Sequence, residues 1–98
     1  MTRRVVVRSG AQRDLSRATV WYERQQNGLG GLFLDSVDRL LDRISSNPWQ
    51  FPEVESGVRR GLLGRFPYGV YFVVDPTHID IIAILHLQRN PQDWKRRM

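Results

Sequence analysis

The chain has no cysteine, which excludes disulfides and thiolate zinc sites. Long apolar runs are missing too. The first is three valines behind Arg3 and Arg4, too short for a signal peptide, and no later run reaches the length of a membrane span. The expectation is a cytoplasmic protein that does not engage a membrane. Histidine is scarce: only His78 and His86 occur, and spacing places no carboxylate to complete a metal site with either. No metal and no cofactor is expected. Gly28-Leu29-Gly30-Gly31 has no strand before it, so it is not a phosphate-cradling loop, and no Ser/His/Asp constellation can be assembled.

What is present suits one domain over residues 1–98, with 41% hydrophobic and 26% charged residues. So short a chain buries a limited core and gains from a partner that covers apolar surface. Its net charge of +5 is unevenly placed. Residues 1–13 hold four arginines and no acid. Residues 14–55 hold four arginines against seven acids, and residues 56–98 hold seven basic groups against three acids. Basic ends flank an acidic middle, which fits a polyanionic target or an acidic protein partner.

Arg4-Val5-Val6-Val7-Arg8 reads as a strand, broken at Ser9-Gly10, with Ser9 placed to cap the next helix. Ala11, Leu15, Ala18 and Tyr22 recur at helical spacing over 11–26, with Trp21 beside them and Asp14 off the stripe. Asn27-Gly28 ends that helix. A second spans about 32–46 on Phe33, Val37, Leu40, Leu41 and Ile44, and Asn47-Pro48 stops it. An ordered loop follows over 47–57. Strands are expected at 58–63, 70–75 and 79–85, joined by turn-rich hairpin connections. The last is apolar enough to be central and covered on both faces. The fold class is α+β: a helical hairpin on one face of a small, mainly antiparallel sheet. The place of the first strand is open. Trp21, Tyr22, Phe33, Phe66, Tyr71 and Phe72 are core by periodicity, and Trp94 is expected to lid the core.

The ordered set of motifs resembles the RelE/ParE superfamily of toxins, closest to ParE-like plasmid-stabilisation members. The resemblance starts with Ala11-Gln12-Arg13-Asp14-Leu15 and Trp21-Tyr22-Glu23, then Gly28-Leu29-Gly30 and Phe33-Leu34. It continues through Asn47-Pro48, Phe51-Pro52 and Val58-Arg59-Arg60. Its strongest part is Arg65-Phe66-Pro67-Tyr68-Gly69-Val70-Tyr71-Phe72, followed by Ile84-Leu85-His86, Arg89-Asn90-Pro91 and Trp94. The resemblance implies a bacterial growth-inhibiting toxin of a type II toxin–antitoxin system, silenced by an antitoxin encoded in the same operon. ParE-like members poison DNA gyrase; RelE-like members cut messenger RNA on the ribosome.

For RNA cleavage the candidate residues are Arg59, Arg65, His86 and Arg89: arginines to stabilise phosphate charge, and a histidine in the pKa range for proton transfer. RelE-like ribonucleases carry an arginine directly after the tyrosine of the second hairpin strand. Here Gly69 follows Tyr68, and Arg59 and Arg60 are too basic to act as general bases. A gyrase-binding toxin that is not an enzyme is therefore favoured. Its target contacts would be Arg89, Lys95, Arg96 and Arg97. Antitoxin contacts are expected at Arg59, Arg60, Trp49 and Phe51. For His86 the competing reading is a strand-end histidine bonded to backbone, and His78 reads as a turn residue.

Overall fold

The computed structural model describes residues 2–98. The chain forms β1 (Arg4–Val7), α1 (Ser9–Gln25) and α2 (Leu29–Ser46), then a 3₁₀ turn (Pro48–Gln50). It continues as β2 (Glu53–Glu55), β3 (Val58–Leu62), β4 (Tyr68–Val74), β5 (His78–His86) and α3 (Gln92–Lys95). The expected order of strand, two helices and three strands is present, with the 3₁₀ turn, β2 and α3 added. None of these three has enough residues to show a period. No helix among the described residues is long and apolar enough to cross a membrane.

The sheet runs β1-β5-β4-β3-β2, antiparallel except where β1 pairs in parallel with β5. The first strand thus lies at one edge, with Arg4 opposite His78 and Val7 opposite Ile81. A parallel pair needs a long crossover, and the helical hairpin begins it. β5 is flanked on both sides, as its apolar sequence requires. A β-bulge between Tyr71 and Phe72 of β4 and Ala83 and Ile81 of β5 shifts its side-chain alternation. Ile79, Ile81 and Ile84 therefore face the helices with Val70 and Phe72, while Ile82, Ala83 and Leu85 face the other side with Tyr71.

On the helical side, Ala11 and Ala18 of α1 meet Phe33, Val37, Leu40 and Ile44 of α2. Burying each large side chain of this set contributes about 2–3 kcal/mol. Tyr22, Phe33, Phe66 and Tyr68 form an aromatic cluster with ring centroids 4.9–6.0 Å apart. Offset and edge-on contacts at this range add to plain burial.

Four expectations need correction. Ser9 starts α1 rather than capping it, and the helix has no side-chain cap. Asp14 is buried on the inner stripe, because it bonds the backbone of β5. Trp21 is 55% exposed, since Ala18 and Tyr22 occupy the inward positions beside it. α2 begins at Leu29, three residues early, because the Glu23 carboxylate accepts hydrogen bonds from the N–H groups of Gly28 and Gly30. A side chain of α1 thus supplies the N-terminal partner that α2 lacks in its own sequence. Gly28, at φ +89°, makes the turn in the left-handed region.

Candidate functional site

The C-terminal tail lies on the sheet face opposite the helices. Trp94 stacks on Tyr71 with centroids 5.3 Å apart and is only 4% exposed, so it lids the second core cluster as expected. Three cations of the tail are engaged within the chain. Arg89 pairs with Asp93 at 2.8 Å and Lys95 with Glu55 at 2.9 Å. Arg97 donates to both carboxylate oxygens of Asp14, at 2.6 and 3.0 Å, and to the Ile82 carbonyl at 3.0 Å. The Asp14 hydrogen bond raises the Arg97 pKa, against burial, which lowers it. The Lys95 hydrogen bond lowers the Glu55 pKa. Of the four target contacts expected in the tail, Arg96 alone has no acidic partner among the described residues. Sequence reasoning missed Asp14 as the anchor. The signal was available: an acid three residues after Ala11 and four before Ala18, both of them buried.

The ribonuclease candidates are divided. His86 and Arg89 line one groove of about 240 Å³ with Arg17, Trp21 and Tyr68. Arg59 is elsewhere, donating to the Phe51 carbonyl at 2.6 Å. Arg65 sits exposed in the β3–β4 connection. The His86 Nδ1 faces the backbone N–H of Gln88 at 3.1 Å and so accepts a hydrogen bond. That is the contact of a strand-end histidine held by backbone. Tyr68 packs edge-on to the His86 ring at 5.4 Å. Burial raises the Tyr68 pKa; Arg89 pulls it down and Asp14 pushes it up. Gly69 is packed over by another residue: a Cβ there would stand 2.9 Å from Cδ of Arg60. Arg60 thus lies across the position where a RelE-like ribonuclease carries its arginine.

A second cationic surface surrounds Trp49, which is 56% exposed. The guanidiniums of Arg3 and Arg59 lie 5.4 and 5.0 Å from its ring centroid. The expected antitoxin contacts split here. Trp49 and Arg59 share this surface, but Arg60 lines a groove on the opposite sheet face with Tyr71 and Trp94. Phe51 is 6% exposed and packs edge-on to Phe72 at 5.8 Å. It is a core residue rather than the expected antitoxin contact, because the chain turns inward after the 3₁₀ turn.

His78 is more than a turn residue. Its Nε2 lies 3.1 Å from Asp80 and its Nδ1 lies 3.7 Å from Asp75. The ligand atoms of these three residues fall within 4.8 Å of one another, a grouping that spacing did not reveal before the hairpin folded Asp75 back. Arg8 ion-pairs with Asp80, and its Nη2 is 3.4 Å from His78, so the cluster already holds a cation of its own.

No family model matches the chain. It is 34% identical over 95 residues to Toxin ParE2 of Mycobacterium tuberculosis, in strains CDC 1551 / Oshkosh and ATCC 25618 / H37Rv, covering 93% of this chain and 88% of the relative. Among solved structures it is similar to a chain of the chromosomal ParDE TA system from P. aeruginosa. The TM-score is 0.71 at 20% identity, covering 87% of this chain and 96% of that one. That likeness concerns the fold, a helical hairpin on a small mixed sheet, whereas the sequence identity to ParE2 concerns kinship. On these grounds the chain belongs to the ParE toxin family, within the RelE/ParE superfamily.

Proposed function

We propose that the chain is the toxin of a type II toxin–antitoxin pair, that it inhibits growth by docking on DNA gyrase, and that it makes or breaks no bond in RNA. A cognate antitoxin encoded beside it keeps it silent. The observation that carries the non-enzymatic reading is the separation of the ribonuclease candidates: Arg59 lies apart from the groove of His86 and Arg89. Proton transfer and phosphate stabilisation need their groups converged on one reacting atom. Arg60 across Gly69 supports the same reading. The proposed target contacts are Arg89, Lys95 and Arg96. Arg97 holds the tail through Asp14 instead of reaching outward. For the antitoxin, Trp49 and Arg59 form one contact region.

The test is brief expression in cells, with DNA supercoiling and reporter transcripts followed together. Gyrase–DNA adducts with intact messages are expected, and an Arg89→Glu, Arg96→Glu variant should lose them while keeping its fold. Prompt message cleavage with unchanged supercoiling would overturn the gyrase reading. It would favour ribosome-dependent messenger RNA cleavage, the second reading, for which the groove of Tyr68, His86, Arg89 and Arg17 is the support.

A further inference from the structure

The β4–β5 hairpin carries a side-chain cluster that neither gyrase docking nor RNA cleavage uses. The Asp75 N–H donates to the His78 carbonyl at 2.8 Å, which closes the turn over Pro76 and Thr77 and sets the two residues side by side. Along a strand, side chains two apart share a face, so His78 and Asp80 project together while Ile79 and Ile81 turn to the helices. His78 Nε2 lies 3.1 Å from Asp80 Oδ1. Asp75, His78 and Asp80 are partly buried, and each offers one ligand atom within 4.8 Å of the other two.

The surroundings of the imidazole suit a ligand. His78 Nδ1 is 2.9 Å from the Thr77 hydroxyl oxygen. A ligating histidine is held in this way, with its other ring nitrogen bonded to an oxygen and its free lone pair aimed at the ion. When the Nδ1 proton is donated to Thr77, Nε2 and Asp80 Oδ1 are two acceptors facing each other, and such a pair calls for a positive charge. Arg8 now meets that need: it ion-pairs with Asp80, and its Nη2 is 3.4 Å from Nε2. The Arg8 side chain is 53% exposed, so water can take the place of its partner at little cost.

We propose that Asp75, His78 and Asp80 bind a divalent ion of the zinc class, which displaces Arg8 from Asp80. Ligands in a tetrahedron at about 2.0–2.1 Å from the ion stand about 3.3 Å apart. His78 and Asp80 are already at that spacing. Asp75 Oδ1, 3.7 Å from the ring at Nδ1, completes the set by rotation of its side chain. One nitrogen and two oxygens, with water in the fourth position, suit zinc, whereas calcium and magnesium prefer larger shells of oxygen alone. Asp75 and Asp80 together outweigh Arg8 in charge. The ion fastens the turn to β5 at the end of the sheet where β1 joins it, with Arg4 opposite His78 and Val6 opposite Asp80. It stabilises the folded chain whichever target the toxin has.

The experiment titrates zinc chloride into the full chain, made without a polyhistidine tag and stripped with a chelator, and follows calorimetry and thermal melts together. One ion per chain and a raised melting temperature are expected, and cobalt(II) should give the visible absorption of a tetrahedral site. Magnesium should do neither. His78→Ala and Asp80→Asn should each weaken zinc binding at least about 100-fold, beyond the cost of losing a supporting hydrogen bond. Asp75→Asn, in the turn, should weaken it about 10-fold with the fold intact. Arg8→Gln should tighten it about 2–5-fold, because a partly exposed ion pair no longer competes for Asp80. His86→Ala should change nothing. No binding at about 100 μM zinc overturns the proposal. So does binding that survives His78→Ala, that is lost in His86→Ala, or that fails to tighten in Arg8→Gln.

Discussion

Asp14 carries more of the structure than its position in a helix suggests. Its carboxylate satisfies the Ile84 N–H beside the bulge and both terminal nitrogens of Arg97. Removing it leaves the buried Ile84 N–H without a partner and the partly buried Arg97 guanidinium with only the Ile82 carbonyl. Asp14→Ala should cost about 2–3 kcal/mol, discounted from a fully buried pair because the Arg97 side chain is partly exposed. Urea denaturation checks the loss, and Trp94 fluorescence should report a loosened tail. Tyr68 and Tyr22 give a second residue-scale expectation. Burial raises both pKa values, with each tyrosine's neighbours adding to it or opposing it. The unfolded chain therefore releases these protons first as pH rises. Their stability contribution is complete below the ordinary tyrosine pKa and lost as pH climbs through the raised values. An absorbance titration should show Tyr22 and Tyr68 ionising late, together with alkaline unfolding. Ionisation of these two at the ordinary value would contradict the burial.

At the scale of the element, the two glycines in the first turn of α2 separate by role. A Cβ on Gly30 would stand 2.8 Å from the Thr19 carbonyl oxygen, so the α1–α2 approach depends on its absence. A Cβ on Gly31 would meet nothing within 4 Å. Gly30→Ala should therefore destabilise by about 1–3 kcal/mol through overpacking. Gly31→Ala should be neutral or stabilise by up to about 1 kcal/mol through helix propensity. Thermal melts of the pair decide it, and equal effects would refute the crossing argument.

The same elements show how much the sequence discloses. The two helices and β3 to β5 could be read because their apolar residues repeat over enough turns or alternations to reveal a period. β2 and α3 have three and four residues, and they form because β3 and Tyr71 offer them a surface. Trp21 and Tyr22 are adjacent, and periodicity counts both as core although only Tyr22 lies on the inward stripe; Trp21 stands outside it. Of the proposed site residues, those on the tail were visible as charge. The ion pairs of Lys95 and Arg97 were not, because Glu55 and Asp14 lie far away in sequence.

Across the whole molecule, the tail works as the second wall of the sheet. Trp94 covers Tyr71, while Lys95 and Arg97 fasten the segment to β2 and α1. A chain ending at residue 90 should expose the apolar face of Val58, Tyr71 and Leu85, bind a hydrophobic dye, and lose about 3–5 kcal/mol, the cost of deleting a buried tryptophan. A truncated chain that melts with the full one and binds no dye would show the tail to be dispensable.

The parallel pairing of β1 with β5 has a consequence for assembly. The first strand of this sheet has no neighbour until the last one exists, and Arg97 closes onto Asp14 of α1 across 83 positions of sequence. Contacts of such long sequence separation must close a large loop before they return any energy, which slows folding. Synthesis therefore delivers the finished surface in one late event, and a chain released early is an unfinished sheet rather than a smaller copy of the whole.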